Sequence, residues 1–475
     1  MARQEGSQGL QSGIQMAARR APLRRLARRH PLSRHGHRRH EERGRILRDN
    51  RCHAVSGPFA RGSAPVEPPS FRFPMTKAPG PDKTILFLAA GEPLVKAVKS
   101  LRRAGYRVVT MDRSPEAPGH GEADNRIIGS IEDTDAVAEA ARACGADLVL
   151  AATEAGVLAA ATASARLGLP GIGVEVALTC LDKGRMRQAW QRANLLQPEF
   201  RLAATAQDIR DAATELGLPA VIKPRRAWSS KGVSVVTRAE QIDEAIESAL
   251  SHADEHGCIV ERFIDGPLLT CDGFVKDGHV TFSMIGDVEF QEHDRYRVNM
   301  SLNYPANYPA AVIEEARDLV AAAVDAVGHR WGAFHCECIV AEKGVYLVEI
   351  GGRPGGGHLF AHVIEQASGL DAPVLLARLL LRRDVDAAPR KTGGACYRFL
   401  SAPPGRFVAA EGLAGARELP GVGTLGLTIR PGETGGTVTH DNARHGWVVA
   451  GGTDRDEALQ RAKDALGTIR LQMEN

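Results

Sequence analysis

The chain has 475 residues, of which 43% are hydrophobic and 25% charged, and this composition predicts a soluble globular protein of two to four domains. No run of about 18 apolar residues is present, so no transmembrane helix is expected. The net charge of +3 is unevenly distributed, because residues 1–74 contain 16 Arg, no Lys and five acids, a local charge of +11. Residues 75–475 therefore carry about −8, and we expect neither a nucleic-acid nor a membrane partner for them.

The eight cysteines are scattered, and none of them forms a CxxC pair. Cys336 and Cys338 form a lone CxC without a second pair, which argues against a structural zinc site. Buried thiols in a reducing compartment are the simplest interpretation, so we expect a cytoplasmic protein.

Residues 1–74 contain arginine clusters such as LRRLARRH and RHGHRRH and few aliphatic side chains. Such a segment buries too little surface to offset its ordering entropy, and we expect it to be disordered. Three interpretations remain open: a translated leader upstream of a start at Met75, an organellar transit peptide, or a basic arm that binds RNA or membrane. We favour the first, because Met75 lies shortly before the first predicted strand and no aromatic residues interleave the charges.

Regular structure is predicted to begin with the apolar strand TILFLAAG, followed by alternating helices and strands that include RVVTMD and DLVLAA. This alternation favours a parallel sheet covered by helices, in a first α/β domain at 82–180. Ligands of such sheets bind at the carboxyl ends of the strands, which makes Gly91, Asp112 and Glu154 candidate pocket residues. Turn and cap roles are the alternative for these positions.

The pattern changes at about residue 181, where the helix DKGRMRQAWQRANL leads into further strand–helix–strand units. A long helix is predicted at 309–328 and a hairpin at 333–350, followed by the turn GGRPGGG. We expect a mixed α+β domain of two subdomains at 181–390, and a small β-rich segment with a final helix at 391–475.

The hairpin carries two glutamates that its register places opposite each other. With EKG as a three-residue loop, Ala341 pairs with Val345, Ile339 with Leu347, and Glu337 with Glu349. The two carboxylates then share one face, with Cβ atoms roughly 5 Å apart, and a cation such as Mg²⁺ would relieve their repulsion. Two solvated glutamates on an exposed face are the alternative, and a two-residue loop would break the pairing.

Two further segments suggest nucleotide contacts. Lys223 ends an apolar strand and needs an anion, and the loop after it holds Ser229, Ser230 and Gly232, whose backbone N–H groups could fold over phosphates. A lysine that extends its ammonium into water is the alternative. In CIVERFIDG, Glu261 or the backbone beside it could accept hydrogen bonds from an adenine amino group, and a satisfied edge-strand glutamate is the alternative.

Four motifs occur in a characteristic order: Asp182–Lys183, Lys223–Pro224 with its Ser/Gly loop, VERFIDG, and HCEC with VEIGGRPGGG. Together they resemble the ATP-grasp superfamily over about residues 82–475, and most closely its amino-acid ligase branch of carboxylate–amine ligases. The resemblance implies an enzyme that uses ATP and Mg²⁺, with Mn²⁺ as a substitute, to join a small carboxylate to an amine; it also implies a possible homodimer.

The resemblance also implies residue roles. Lys183 and Lys223 would contact ATP phosphates, Arg353 would hold the transferred phosphate or the acyl phosphate, and Glu337 and Glu349 would bind the metal. The adenine hinge would comprise Glu261, Phe263 and Ile264.

Two positions depart from the family pattern, one at the metal site and one at the ribose site. Gly351 stands where the family usually has a metal-binding Asn, and Leu268 stands where an acid often grips the ribose. A nucleotide-binding pseudoenzyme is therefore one rival, beside biotin carboxylase-like and purine-pathway ligases. Substrate contacts could come from four basic residues, His335, His293, Arg295 and Arg297, or these could be surface groups.

Overall fold

Four parallel strands form the first sheet of the computed structural model, which describes residues 83–227, 231–292 and 297–474. The sheet order is β3-β2-β1-β4, with β1 Thr84–Leu88, β2 Arg107–Asp112, β3 Asn125–Ile128 and β4 Leu148–Ala151. Four helices accompany it: α1 Val95–Arg103, α2 Thr134–Cys144, α3 Glu154–Leu167 and α4 Val174–Leu181. Residues 85–88 are fully buried, as expected for a strand covered on both faces, and the predicted parallel sheet is confirmed.

A second, antiparallel sheet follows helix α5 (Lys183–Arg192) and has the order β5-β8-β6-β7. Its strands are β5 Phe200–Ala203, β6 Ala220–Pro224, β7 Ser234–Val236 and β8 Cys258–Arg262, with helices α6 Ala206–Leu216 and α7 Ile242–Leu250 packed on it. Strand β8 lies between β5 and β6, so the interpretation of Glu261 as an edge-strand residue is wrong.

The largest sheet has eight strands in the order β13-β12-β9-β10-β11-β14-β18-β16. They are β9 Leu268–Lys276, β10 His279–Glu292, β11 Arg297–Tyr304, β12 Gly332–Ala341, β13 Gly344–Gly351, β14 Gly394–Leu400, β16 Val422–Leu427 and β18 Gly446–Gly452. The predicted long helix is observed as α8, Ala310–Ala326. Because β14 pairs with β11, strands from the C-terminal segment complete the sheet that carries the predicted hairpin.

The remaining elements surround this sheet. A three-stranded sheet comprises β15 Gly405–Glu411, β17 Thr434–Gly435 and β19 Arg470–Glu474. The further helices are α9 Ile364–Ser368, α10 Ala372–Leu380, α11 Leu413–Glu418 and α12 Arg455–Gly467. Among the described helices none is both long and apolar enough to cross a bilayer, and the seven described cysteines are free and buried.

The hairpin pairs its two glutamates by a route different from the predicted one. Ala341 pairs with Gly344, so the loop has two residues, and the predicted pairs Ala341–Val345 and Ile339–Leu347 are wrong. Glu337 nevertheless pairs with Glu349, because Val348 is an extra residue that shifts the register by one. The carbonyl of this bulged residue accepts a hydrogen bond from Arg187 Nη2 at 2.8 Å. A buried arginine therefore holds the bulge that brings the carboxylates face to face.

Candidate active site

A cleft of about 870 Å³ opens where three parts of the molecule meet. One wall follows strand β4 and includes Thr153 and Glu154, and a second is the hairpin with Glu337 and Glu349. The third wall comes from β14, β18 and the segment before β18. The cleft therefore collects chemical groups from all parts of the chain between residues 92 and 447.

The carboxylates of Glu337 and Glu349 occupy different electrostatic environments within this cleft. Burial and the negative charge of Glu349 raise the pKa of Glu337 to about 7. Burial acts in the same direction on Glu349, but Lys183, Lys223 and Arg353 outweigh it and lower its pKa to about 2. Lys183 Nζ lies 3.4 Å from Glu349. The charge of Glu349 thus favours the protonated form of Glu337. A cation bound between the two carboxyl groups would relieve their repulsion and let both be ionised.

A second cluster of possible metal ligands lies outside the cleft. Within the described ranges, side-chain atoms of Asp254, Glu255 and His256 lie within 4.8 Å of one another. Two of the three residues are exposed, and the group lies in a turn between α7 and β8. Exposed acidic clusters of this kind occur commonly without an ion, so we assign no metal to it.

Lys223 is buried in an ion triad. Its Nζ lies 2.8 Å from Glu261 Oε2, while Arg187 Nε donates to Glu261 Oε1 at 2.9 Å, and all three side chains are at most 7% exposed. The anion beside Lys223 in this structure is therefore Glu261. Arg187 and Lys223 outweigh burial and lower the Glu261 pKa to about 2. Because both carboxylate oxygens of Glu261 already bind a cation, we expect backbone groups of this segment to make any contact with adenine.

Arg187 is a site residue that the sequence reasoning missed. It lies four positions after Lys183 on α5, a spacing that places both cations on one face of the helix. That spacing was the available signal, but it does not reveal that the arginine faces a buried carboxylate.

The motif Asp182–Lys183 joins helix α5 to the end of strand β6. The Asp182 carboxylate caps the helix by accepting from Gly184 N at 2.8 Å, and Arg225 binds it through two nitrogens at 2.9 and 2.6 Å. Lys183 Nζ donates to the carbonyl of Ala227 at 2.9 Å. Arg225 thus fixes the position from which Lys183 reaches the cleft.

The loop after β6 is described in part. Gly232 has φ of +70°, and a Cβ there would lie 2.9 Å from Cγ of Pro224, so close packing alone requires glycine. Ser229 and Ser230 lie outside the described residues. In the expected hinge, Phe263 N donates to Pro219 O at 3.1 Å, which leaves the amide of Ile264 as the better candidate for a nucleotide contact.

Of the three candidates at strand ends, Glu154 lines the cleft, whereas Asp112 and Gly91 have turn and cap roles. Glu154 lines the cleft and forms an ion pair with Arg353, which also lines it. Asp112 accepts hydrogen bonds from Ala90 N at 2.8 Å and Ser114 N at 2.9 Å, which is the alternative turn role. Gly91 precedes a short 3₁₀ helix as its N-cap.

His335 also lines the cleft and lies opposite Gly351 in the hairpin. Its Nδ1 donates to Asp272 at 2.9 Å, and Tyr304 donates to the other oxygen of Asp272, also at 2.9 Å. Asp272 outweighs burial and raises the pKa of His335. The side chains of His293, Arg295 and Arg297 lie outside what the structure describes.

The cleft is lined by Lys183, Arg353 and the Glu337–Glu349 pair, and the buried Lys223 lies close enough to help lower the pKa of Glu349. Such a site can neutralise a triphosphate and a substrate carboxylate at once, which is the task of an ATP-dependent ligase.

Comparison with known proteins agrees with this class. Residues 190–381 match the family described as D-ala D-ala ligase C-terminus, and residues 398–474 match L-amino acid ligase C-terminal domain 2. A D-alanine–D-alanine ligase of Acidovorax ebreus is 28% identical over 48% of this chain and 71% of its own. A formate-dependent phosphoribosylglycinamide formyltransferase of Burkholderia vietnamiensis is 27% identical over 81% of this chain and 95% of its own.

Solved structures show the same fold. An L-amino acid ligase from Bacillus licheniformis superimposes with a TM-score of 0.73 at 20% identity, covering 83% of this chain and all of the other. A phosphoribosylglycinamide synthetase from Anaerococcus prevotii gives 0.67 at 19% identity, over 82% of this chain. The chain therefore has the fold of ATP-grasp ligases, and its two family matches are to domains of carboxylate–amine ligases.

Proposed function

We propose that the protein is an amino-acid ligase that activates one amino acid as an acyl phosphate and joins it to the amine of a second. The observation that carries this proposal is the Glu337–Glu349 pair, which faces Lys183 and Arg353 across one cleft. The match of residues 398–474 to an L-amino acid ligase domain supports the amino-acid branch.

The roles of the residues follow from charge. A γ-phosphate and a carboxylate repel each other, so cations must surround both as the phosphoryl group moves. We assign Lys183 and Lys223 to the nucleotide phosphates and Arg353 to the transferred group. To reach phosphate, Lys223 and Arg353 would share or exchange their present partners, Glu261 and Glu154.

Glu337 and Glu349 fit a divalent cation, because their opposed carboxylates repel each other and leave room for phosphate oxygens as further ligands. Bound there, Mg²⁺ or Mn²⁺ would neutralise the charge that develops on the transferred phosphoryl group. Glycine at 351 contributes no side-chain ligand, so nucleotide oxygens or water would complete the coordination. The nucleotide and metal would thus be held by residues on the hairpin side of the cleft.

Rival functions remain within the same fold. The similarity to a formate-dependent formyltransferase over 95% of that protein favours a purine-pathway ligase as the second candidate. Leu268 and Gly351 are the features that would suit a nucleotide-binding pseudoenzyme. We propose the cytoplasm as the compartment, since the seven buried free thiols suit a reducing environment.

We expect turnover to release ADP and phosphate in step with amide formation when pairs of amino acids are supplied with Mg·ATP. The cationic groups of the cleft would surround the terminal phosphate of a bound ATP, which favours transfer of the γ-phosphoryl group. Chromatography of the nucleotides after incubation with an amino-acid panel is the measurement. AMP and pyrophosphate as products would overturn the acyl-phosphate mechanism, and activity only with a ribosyl amine would favour the purine-pathway ligase.

A further inference from the structure

The end of the cleft that is lined by the C-terminal strands differs in chemistry from the hairpin side, where we place the ATP phosphates. Tyr397 and Phe399 lie on one face of β14, and Trp447 pairs with Phe399 from the neighbouring strand β18. Their rings, together with His358, form what we call the aromatic wall. His358 stacks on Trp447 with ring centroids 4.9 Å apart, and Tyr397 and Phe399 lie 4.4 Å apart.

Three polar side-chain atoms at this end of the cleft lack hydrogen-bond partners among the described residues. Trp447 Nε1, His358 Nδ1 and Arg444 Nε are buried and make no hydrogen bond within the described residues. A buried donor without an acceptor is unfavourable, and a ligand that supplies an acceptor would remove this cost. A polar ligand at this end of the cleft would satisfy these atoms.

One basic and one acidic side chain beside the aromatic wall indicate which charged groups such a ligand would carry. Arg444 lies over the ring of Phe399, 3.8 Å from its centroid, and forms an ion pair with Asp441. The Arg444 side chain is 12% exposed and that of Asp441 is 41% exposed. An adjacent acid and guanidinium complement the ammonium and carboxylate of a free amino acid, and a planar arginine binds a carboxylate well.

Building on the proposed function, we propose that the aromatic wall with Asp441 and Arg444 binds the amine substrate, and that this substrate is an α-amino acid with an aromatic or large apolar side chain. A carboxylate held by Arg444 is not the one activated beside Lys183 and Arg353. The amino acid bound here therefore contributes its amine, and it becomes the C-terminal residue of the product.

Calorimetric titration of the full chain with Mg·ADP and single amino acids tests this binding without turnover. We expect phenylalanine to bind at least about tenfold more tightly than alanine, because burial of a large apolar side chain is worth more than 1.4 kcal/mol. Trp447→Ala should remove this preference and leave alanine binding nearly unchanged, while Trp447→Phe should retain most of it. Arg444→Lys should weaken the binding of both amino acids, since it removes the guanidinium fork.

Arg406→Gln is the matched control, because Arg406 is exposed on β15, outside the cleft. Equal affinities for alanine and phenylalanine, or tightest binding of glutamate, would overturn the proposal. Phenylalanine binding that depends on Trp447, without ADP formation from any amino-acid pair, would sustain this site and overturn the ligase function. ADP formation with other amines but without phenylalanine binding would do the reverse.

Discussion

Replacement of Glu337 or Glu349 by Gln is expected to reduce turnover by about 10²-fold or more, because each change removes a metal ligand that stabilises charge in the transition state. Thermal protection by Mg·ATP should shrink in both variants. Rates at saturating Mg²⁺ and melting curves with and without Mg·ATP are the measurements. Glu342→Gln, in the exposed turn of the same hairpin, should leave both unchanged.

The two variants should differ in stability without nucleotide. Burial and the charge of Glu349 raise the pKa of Glu337 to about 7 in the folded protein, whereas a glutamate in the unfolded chain has a pKa of about 4.3. Between these two pH values the folded protein keeps a proton that the unfolded chain has lost. Stability should therefore fall as the pH rises from about 4.3 to 7, and Glu337→Gln should flatten this slope. Glu349→Gln should instead lower stability, since Lys183 loses its partner. Wild-type rates and metal dependence in both variants would refute the assigned metal site.

The second large effect is expected from Glu261→Gln. It leaves Lys223 and Arg187 buried without a counter-charge, and removal of one partner from a buried ion pair typically costs about 3–5 kcal/mol. Unfolding in urea measures this change in free energy. Because the Glu261 pKa is lowered to about 2, the wild-type advantage should be complete above about pH 4.3 and be lost as the pH falls towards 2.

Glu199→Gln is the matched control for this variant. Glu199 pairs with Arg262 at 2.9 Å, but both side chains are at least half exposed, and exposed pairs contribute roughly 0–1 kcal/mol. Equal free-energy changes for the two variants would show that the buried triad contributes no more to stability than an exposed ion pair does.

The hairpin shows how far the sequence determines a site. Apolar alternation located both strands, and the opposition of Glu337 and Glu349 was predicted, but from a loop length that the structure does not have. The bulge at Val348 restores the pairing because Arg187, more than 100 residues earlier, bonds to its carbonyl. No local pattern in the hairpin contains that information.

Other parts of the site depend on contacts between distant segments. Lys223 was predicted to need an anion, but Glu261 becomes that anion only because β6 and β8 are neighbours. Phe399 and Trp447 meet because β14 and β18 are neighbours in the sheet, although more than 40 residues separate them in sequence. Motif spacing therefore predicted Lys183, Glu337, Glu349 and Arg353, which the structure brings to one cleft, whereas the aromatic wall required the folded chain.

Transfer of an oxygen isotope tests the acyl-phosphate mechanism most directly. An acid substrate carrying ¹⁸O in its carboxylate attacks the γ-phosphorus of ATP, and attack by the amine then expels phosphate with that bridging oxygen. The mechanism predicts one ¹⁸O atom in each phosphate released alongside ADP, measured by mass spectrometry. Unlabelled phosphate, or label recovered in AMP, would contradict activation of the carboxylate by the γ-phosphoryl group.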